Sequence, residues 1–434
     1  MHKFKTFARG GVHPQDKKSL SKENSIKRMP IPGELIIAMG QHLGAPAKAM
    51  KVKGDRVAMG EKIGTACAFI SAEIHCPVDG VVTDVRRVTL ANSVTCDALV
   101  VQPDESQDYD KYKRVDYSSM DSQALLDKIK DYGIVGLGGA TFPTHVKLSI
   151  PKGRKVDTLV INAVECEPYL TSDYRLLLER AEDVLEGTMI IAKTIRPDNI
   201  IIGVEANKLD AADALEAAIS RLSYPITVQR LKVKYPQGDE KQLLKATIGK
   251  EIPSGKLPLD IGAVVCNTGT ALAVFEAIAM DKPLFERVVT VSGENVNNPS
   301  NILAPIGTKT SDLIAFAGGL VKDSDKLICG GPMMGFAFYD EETPMTKGTS
   351  GILAIDDTPR VQTACVSCGK CVAHCPMGLE PTKLYKYITT GNYDLAMKAN
   401  LMDCKECGCC AYSCMASLPL VQAFKYGKVM ARRK

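Results

Sequence analysis

Nine of the chain's 15 cysteines fall between Cys365 and Cys414. Eight of them form two runs of one spacing, Cys365-x2-Cys368-x2-Cys371-x3-Cys375-Pro376 and Cys404-x2-Cys407-x2-Cys410-x3-Cys414. Three thiolates at i, i+3 and i+6 on a tight loop can wrap three corners of an iron–sulfur cubane, while the fourth, four residues on, reaches the other cluster. The spacing predicts two [4Fe–4S] clusters with crossed ligation: Cys365, Cys368, Cys371 and Cys414 on one, Cys404, Cys407, Cys410 and Cys375 on the other. Crossing brings the clusters close, which suits electron hopping. Structural zinc would draw on paired C-x2-C knuckles instead, and a disulfide framework belongs to small secreted domains. Cys409, beside Cys410, is a spare in this register. His374 reads as a neighbour of the clusters or a surface residue. Cys166 and Cys266 read as small buried hydrophobes.

A second constellation is rich in glycine: Gly133-Ile134-Val135-Gly136-Leu137-Gly138-Gly139-Ala140-Thr141-Phe142-Pro143-Thr144-His145-Val146-Lys147. No strand precedes its glycines, so it is not the βαβ dinucleotide fingerprint. Glycines do let backbone N–H groups approach a phosphate or a flavin, and Lys147 can neutralise a phosphate. Alone, such a loop is equally an ordinary turn. Three further segments follow apolar strands: Asn162-Ala163-Val164-Glu165-Cys166-Glu167-Pro168-Tyr169, Tyr235-Pro236-Gln237-Gly238-Asp239-Glu240-Lys241 and Cys266-Asn267-Thr268-Gly269-Thr270. Polar groups at the carboxyl ends of strands lie where open α/β sheets bind ligands. Asn267 and Thr270 also fit plain helix caps, and Glu167 fits an exposed turn.

These groups need elements to position them. Residues 1–118 read as β-rich, with short alternating runs at 34–37, 58–63 and 80–88 broken by Gly, Pro and Asp. The order Gly54-Asp55-Arg56-Val57, Gly60-Glu61-Lys62-Ile63, Cys76-Pro77-Val78-Asp79-Gly80 resembles the barrel-sandwich hybrid of biotinyl and lipoyl domains. The hairpin stretch where such a carrier bears its lysine, residues 65–72, has none, so the domain reads as a scaffold. The charged, Tyr/Asp-rich residues 101–119 read as a linker. Residues 119–284 then alternate helices (122–132, 173–195, 211–222, 239–248, 270–280) with apolar strands (158–162, 199–204, 226–232, 263–266). That alternation predicts an α/β layer with a mostly parallel sheet. Residues 285–357 return to strands (287–292, 326–329, 351–355) around a helix at 310–317. Residues 358–434 hold the cysteines and a basic tail. The expected fold class is multidomain α/β plus β.

The net charge of +4 without a basic block argues against nucleic acid as a partner. No apolar run reaches the length of a membrane span, and no secretory signal is expected at the N-terminus.

The order G-x-x-G-x-G-G-A-x-F-P-T-x-x-K, N-A-x-E-x-E-P, Y-x-x-G-x-E and N-x-x-T resembles the FMN- and NADH-binding subunit of respiratory complex I. With the N-terminal barrel sandwich and the twin-cluster C-terminus, the chain resembles the RnfC family, which serves membrane-bound, ion-translocating ferredoxin:NAD+ oxidoreductases of the Rnf type. The resemblance implies a Rossmann-like FMN/NADH domain, a β-grasp ligand-binding module over 285–357 and an α-helical ferredoxin-type domain. It implies non-covalent FMN held by Gly136, Gly138, Gly139 and Lys147. Asn162, Glu165, Tyr235, Gly238, Asp239, Glu240, Asn267 and Thr270 would complete that pocket. Phe142 would stack on the adenine of NAD(H), and Glu167 and Lys256 would contact the rest of the dinucleotide. The chemistry would be hydride exchange between NAD(H) and FMN followed by single-electron passage to the clusters, with no catalytic side chain. Departures stand at Val164, where complex I has Asp, and at Ile150 and Leu259, where it has Phe. The partners implied are NADH/NAD+ and the other subunits of the complex, one of them carrying iron–sulfur clusters, at the cytoplasmic face of the cell membrane. A soluble flavin/iron–sulfur reductase such as a cobalamin reductase, or a non-catalytic iron–sulfur carrier, are the alternative readings.

Overall fold

The computed structural model describes residues 4–322, 326–357 and 360–433. Residues 35–103 build two small antiparallel sheets. One runs Leu35–Ala38, Thr95–Pro103, Gly80–Thr89, Arg56–Val57, and the other Lys48–Ala49, Lys62–Thr65, Ile74–His75. Strand alternation explains the core. Leu35, Ile37, Leu99 and Val101 point into one cluster with Ile63 and Ile74, while Ile36, Ala38 and Ala98 pack on the opposite face with Leu90. Of the strand expected over 58–63, residues 62–63 open the strand Lys62–Thr65, while residues 58–61 are a turn between two strands. Gly60 adopts φ +80° there, and the Glu61 carboxylate accepts from Ala58 N at 2.9 Å, which bends the chain.

Residues 4–34 precede the two sheets. Lys5 bridges Leu231, Val12 bridges Tyr235, and Ile26–Arg28 pairs in parallel with Ser300–Pro305, so residues 5–28 are stitched to other parts of the molecule. Nor do residues 104–119 hang free. Tyr112 packs on Phe285, the Tyr112 hydroxyl donates to Met59 O at 3.3 Å, and Val115 N donates to Ala279 O at 2.8 Å.

A parallel sheet follows, in the order Ile226–Leu231, Asn199–Glu205, Thr158–Ala163, Ala263–Asn267. Its strands are near-continuous apolar runs because helices cover both faces. The helix expected over 173–195 breaks at Arg180 (φ −133°, ψ 31°) into Ser172–Glu179 and Ala181–Ile195. The Arg180 guanidinium there pairs with Asp183 and Glu276. Thr268–Ala279 is buried at every residue but Glu276. It crosses Ala181–Ile195 closely enough that a Cβ at Gly187 would lie 1.9 Å from Ala271 O.

A six-stranded mixed sheet comes next, Ile26–Arg28, Ser300–Pro305, Glu286–Ser292, Gly351–Ile355, Lys326–Cys329, Phe336–Phe338, with helix Thr310–Phe316 beside it. The cysteine region is helical. Pro381–Thr389, Tyr393–Lys398 and Leu420–Arg432 enclose their own core of Leu384, Ile388, Leu401, Leu420 and Phe424. Among the described residues, no helix is long and apolar enough to cross a membrane.

Candidate flavin and iron–sulfur sites

The glycine loop is a closed arch. Gly136 N donates to Phe142 O at 2.9 Å, Val135 bridges Pro143, and Leu137 N donates to Thr270 Oγ1 at 2.9 Å. From beneath, the buried Arg287 guanidinium donates to Leu137 O at 3.3 Å. Gly138, Gly139 and Ala140 form the exposed crown, and their amides make no hydrogen bond of ordinary geometry to the described residues. Two glycines have steric reasons. A Cβ at Gly138 would press on Asn267 Cβ at 3.3 Å; Gly139 sits at φ +107°, with nothing within 4 Å of where its Cβ would stand. The arch therefore offers free amides over open space, the chemistry that a phosphate needs.

The strand ends supply the facing wall, mostly by fixing backbone. Asn162 Nδ2 donates to Gly238 O at 2.8 Å, and a Cβ at Gly238 would meet Cys166 Sγ at 3.1 Å, which ties the 235–239 turn to the sheet. Glu165, held at φ +45°, accepts from Asp173 N at 2.8 Å and Tyr174 N at 3.3 Å, so its carboxylate caps helix Ser172–Glu179. Asp239 caps Glu240–Thr247, and its burial pushes its carboxyl up. Asn267 Oδ1 accepts from Gly269 N and Thr270 N as the cap of Thr268–Ala279, while its Nδ2 donates to Asp173 Oδ2 at 2.6 Å. Lys147 Nζ donates to Val265 O at 2.9 Å and lies 3.4 Å from Glu240 Oε1.

Sequence reasoning missed Asp173. It is partly accessible yet crowded by protein, and burial first, then the Glu165 carboxylate, push its carboxyl up to about 7. The signal available was its place in the first turn of a helix just after the Asn162–Glu167 motif. Also missed were the buried cations beneath the pocket. Lys18 Nζ donates to Glu167 O at 3.0 Å and Lys208 Nζ donates to Val164 O at 2.6 Å, with Glu205 3.9 Å from Lys208.

Glu167 is not an exposed turn residue. Met333 N donates to it at 3.0 Å and the Tyr235 hydroxyl at 3.4 Å, and burial pushes its carboxyl up to about 7. Phe142 is half-buried at the foot of the arch. Lys256 is exposed on the 252–258 loop, which meets the cysteine region where Ser254 Oγ donates to Asp403 Oδ2 at 2.6 Å. A solvent-open cleft lined by Arg154, Lys155 and Lys250 lies at the opposite, amino-terminal edge of the parallel sheet, and has no part in this site.

Cys375, Cys404, Cys407 and Cys410 line one cavity, together with Leu379, Leu384 and Phe424. Cys410 feels the charges of Cys404, Cys407 and Cys375, and Cys371 those of Cys414 and Cys368. Cys409 lines the same cavity as Cys375, Cys404, Cys407 and Cys410. Backbone amides point at four of the sulfurs: Ser367 N to Cys365, Leu379 N to Cys375, Glu406 N to Cys404 and Leu418 N to Cys414, at 3.3–3.4 Å. Such N–H···S bonds stabilise thiolates and tune cluster potentials. Among the described residues no three His, Cys, Asp or Glu side chains converge on a point that suits a single ion. His374 is half-buried, its Nδ1 2.8 Å from Lys370 O. Cys409 is fully buried against Tyr235 and Val12, its Sγ 3.9 Å from Tyr235 O, and so joins the cysteine region to the α/β layer.

Residues 129–276 match the Nuo51 FMN-binding domain family, residues 5–106 the RnfC barrel sandwich hybrid domain and residues 288–337 the SLBB domain. Among solved structures, an NAD+-reducing [NiFe]-hydrogenase in the H2-reduced state shares the fold. Its TM-score is 0.52 at 19% identity, covering 71% of this chain and 63% of that one. The C subunit of the proton-translocating ferredoxin:NAD(+) oxidoreductase complex of Clostridium ljungdahlii is 41% identical, over 98% of this chain and 94% of its own. Its counterpart in the Na(+)-translocating complex of Acetobacterium woodii is 39% identical over 100% of this chain and 99% of its own. Likeness of this extent along the whole chain shows that the protein belongs to the RnfC family of ion-translocating ferredoxin:NAD+ oxidoreductase complexes.

Proposed function

We propose that this chain is the NAD-side electron-transfer subunit of such a complex, passing electrons between NAD(H), one FMN and two [4Fe–4S] clusters. The observation that carries the reading is the position of Tyr235. Its hydroxyl donates to Glu167 in the pocket wall, and its backbone carbonyl meets Cys409, between the cluster ligands Cys407 and Cys410. One residue thus spans from the pocket to the cysteine-lined cavity.

FMN supplies the conversion between two-electron and one-electron chemistry, which no side chain here can perform. The chain's own residues position it. The free amides at Gly138 and Gly139, with Lys147, would hold its phosphate, and Gly136, bonded to Phe142 O, would close the arch that presents them. Asn162, Glu165, Tyr235, Gly238, Asp239, Glu240, Asn267 and Thr270 would form its walls, several by fixing backbone rather than by touching it. Phe142 would carry the adenine, and Glu167 and Lys256 would contact the rest of the dinucleotide. Cys365, Cys368, Cys371 and Cys414 would ligate one cluster, and Cys404, Cys407, Cys410 and Cys375 the other. No general acid or base is required. Other subunits of the complex, one bearing iron–sulfur clusters, would hold the chain at the inner face of the cell membrane.

The test is anaerobic. Iron, sulfide and flavin are counted in the purified chain, and NADH is added while the visible spectrum is followed. The expected result is about eight irons, one FMN and bleaching by NADH. A chain with iron but no bleaching, even after FMN is supplied, would overturn the NADH-linked reading and leave an iron–sulfur carrier.

A further inference from the structure

The hairpin of the N-terminal barrel sandwich ends beside the glycine arch. Leu43 N donates to Thr141 O at 3.1 Å, and Thr141 immediately precedes Phe142. The segment that makes this contact is locked to the hairpin loop. Ala45 N donates to Ile70 O at 3.0 Å, Ser71 Oγ donates to Ala45 O at 2.9 Å, and Ala72 N donates to His42 Nε2 at 3.1 Å. Gly44, at φ +106°, approaches so closely that a Cβ there would lie 2.1 Å from Ile70 O.

This rigid lobe leaves large apolar side chains in solvent: Phe69 is 74% exposed, Leu43 56% and Ile70 38%. A locked loop that exposes contiguous apolar surface marks a binding face. Residues 41–47 and 65–72 contain no Asp, Glu, Lys or Arg, and burial holds His42 neutral, its pKa lowered to about 4. A flat, uncharged aromatic ring fits such a face; a diphosphate does not.

We propose that Phe69 and Leu43 of the barrel sandwich form the outer wall of the adenine subsite, facing Phe142 across the bound dinucleotide. The proposal rests on the reading of Phe142 given above. It gives the lysine-free hairpin a role, since the loop on which a carrier domain would bear its cofactor supplies a wall for a nucleotide held by the neighbouring domain.

The experiment uses the full chain loaded with FMN and compares wild type with Phe69→Ala, Phe69→Tyr, Leu43→Ala/Phe69→Ala and Phe142→Ala. Calorimetry measures the binding of ADP-ribose, which carries adenine and diphosphate but no nicotinamide. Steady-state assays compare NADH with reduced nicotinamide mononucleotide, which lacks adenine. Loss of one aromatic wall should weaken ADP-ribose binding and raise the KM for NADH roughly three- to tenfold. The kcat and the mononucleotide's parameters should stay unchanged, and Phe69→Tyr should behave as wild type. If Phe142→Ala weakens ADP-ribose binding and the Phe69 variants do not, the inference falls while the functional reading stands. If neither does, the adenine role of Phe142 falls together with the inference. Equal damage to both nicotinamide substrates would show a merely structural loop and overturn the proposal.

Discussion

Asn267 caps a helix with its oxygen and holds Asp173 with its nitrogen, so the choice between cap and pocket residue that the sequence leaves open is resolved as both. An aspartate here would keep the cap but face the Asp173 carboxylate without a donor. The Asp173 carboxyl is itself costly to ionise, because burial and Glu165 push it up to about 7. A carboxyl raised in the folded state contributes stability fully below its unfolded value, near 3.9, and loses it as pH rises through 7. Asp173→Asn retains an acceptor for Asn267 Nδ2 and removes the titration. Between pH 6 and pH 8 the wild type should therefore lose about 1 kcal/mol relative to Asp173→Asn. Denaturant melts of both proteins at the two pH values, at fixed flavin saturation, check this. A gap that does not move with pH would mean the carboxyl is ordinarily solvated.

At the scale of elements, residues 4–12 form a strap. Lys5 runs beside Leu231 at the edge of the parallel sheet, Phe7 is buried under Lys234, and Gly11 N donates to His374 O at 2.9 Å. The strap thereby fastens the cysteine region to the α/β layer. Gly10 is its tightest point. It lies at φ +64°, and a Cβ there would stand 2.5 Å from the backbone carbon and oxygen of Cys375. Gly10→Ala should cost about 1–3 kcal/mol and speed the loss of iron from the cluster proposed above for Cys375. Gly153→Ala, at φ +81° with nothing within 4 Å, shares the backbone strain without the clash and should retain its iron. Iron release to a chelator, followed in both variants beside thermal melts, separates the two effects. The strap shows what sequence patterns carry and what they do not. The cysteine spacing, the glycine arch and the strand–helix alternation are local signals, legible within about twenty residues each. The pairing of Lys5 with Leu231 or of Ile26–Arg28 with Ser300–Pro305 spans more than two hundred residues and leaves no local trace. Of the two carboxylates that pair with Arg180 at the helix break, Glu276 is likewise distant in sequence. Asp173 escapes a reading of the sequence because its partner, Asn267, lies 94 residues away.

For the whole molecule, Lys347 is where three parts meet. It lies between the strands Phe336–Phe338 and Gly351–Ile355 of the mixed sheet, its Nζ donates to Glu73 O in the barrel sandwich at 2.7 Å and to Gly133 O at the root of the glycine arch at 2.8 Å, and its own N donates to Gln41 Oε1. The next residue, Gly348, packs on the arch itself, since a Cβ there would meet Thr141 Cγ2 at 2.7 Å. The side chain is 1% exposed, and burial, opposed in part by Glu73, lowers its pKa to about 7. A neutral amine has two N–H donors, enough for both carbonyls, so the junction does not need the charge. A lysine lowered in the folded state makes folding harder below its folded value and progressively easier as pH rises towards its unfolded value near 10.4. Lys347→Met keeps the volume, removes the titration and strands two buried carbonyls, a loss of about 2–4 kcal/mol. That loss should be smallest near pH 7 and grow with alkalinity, because only the wild type gains as its amine sheds the proton that burial penalises. The gain should approach about 2 kcal/mol between pH 7.5 and 9.5. Parallel denaturation across that range, with limited proteolysis to report release of the barrel sandwich, gives the answer. A constant gap between the two proteins would place the charge of Lys347 in solvent and leave the three-part junction to its apolar contacts.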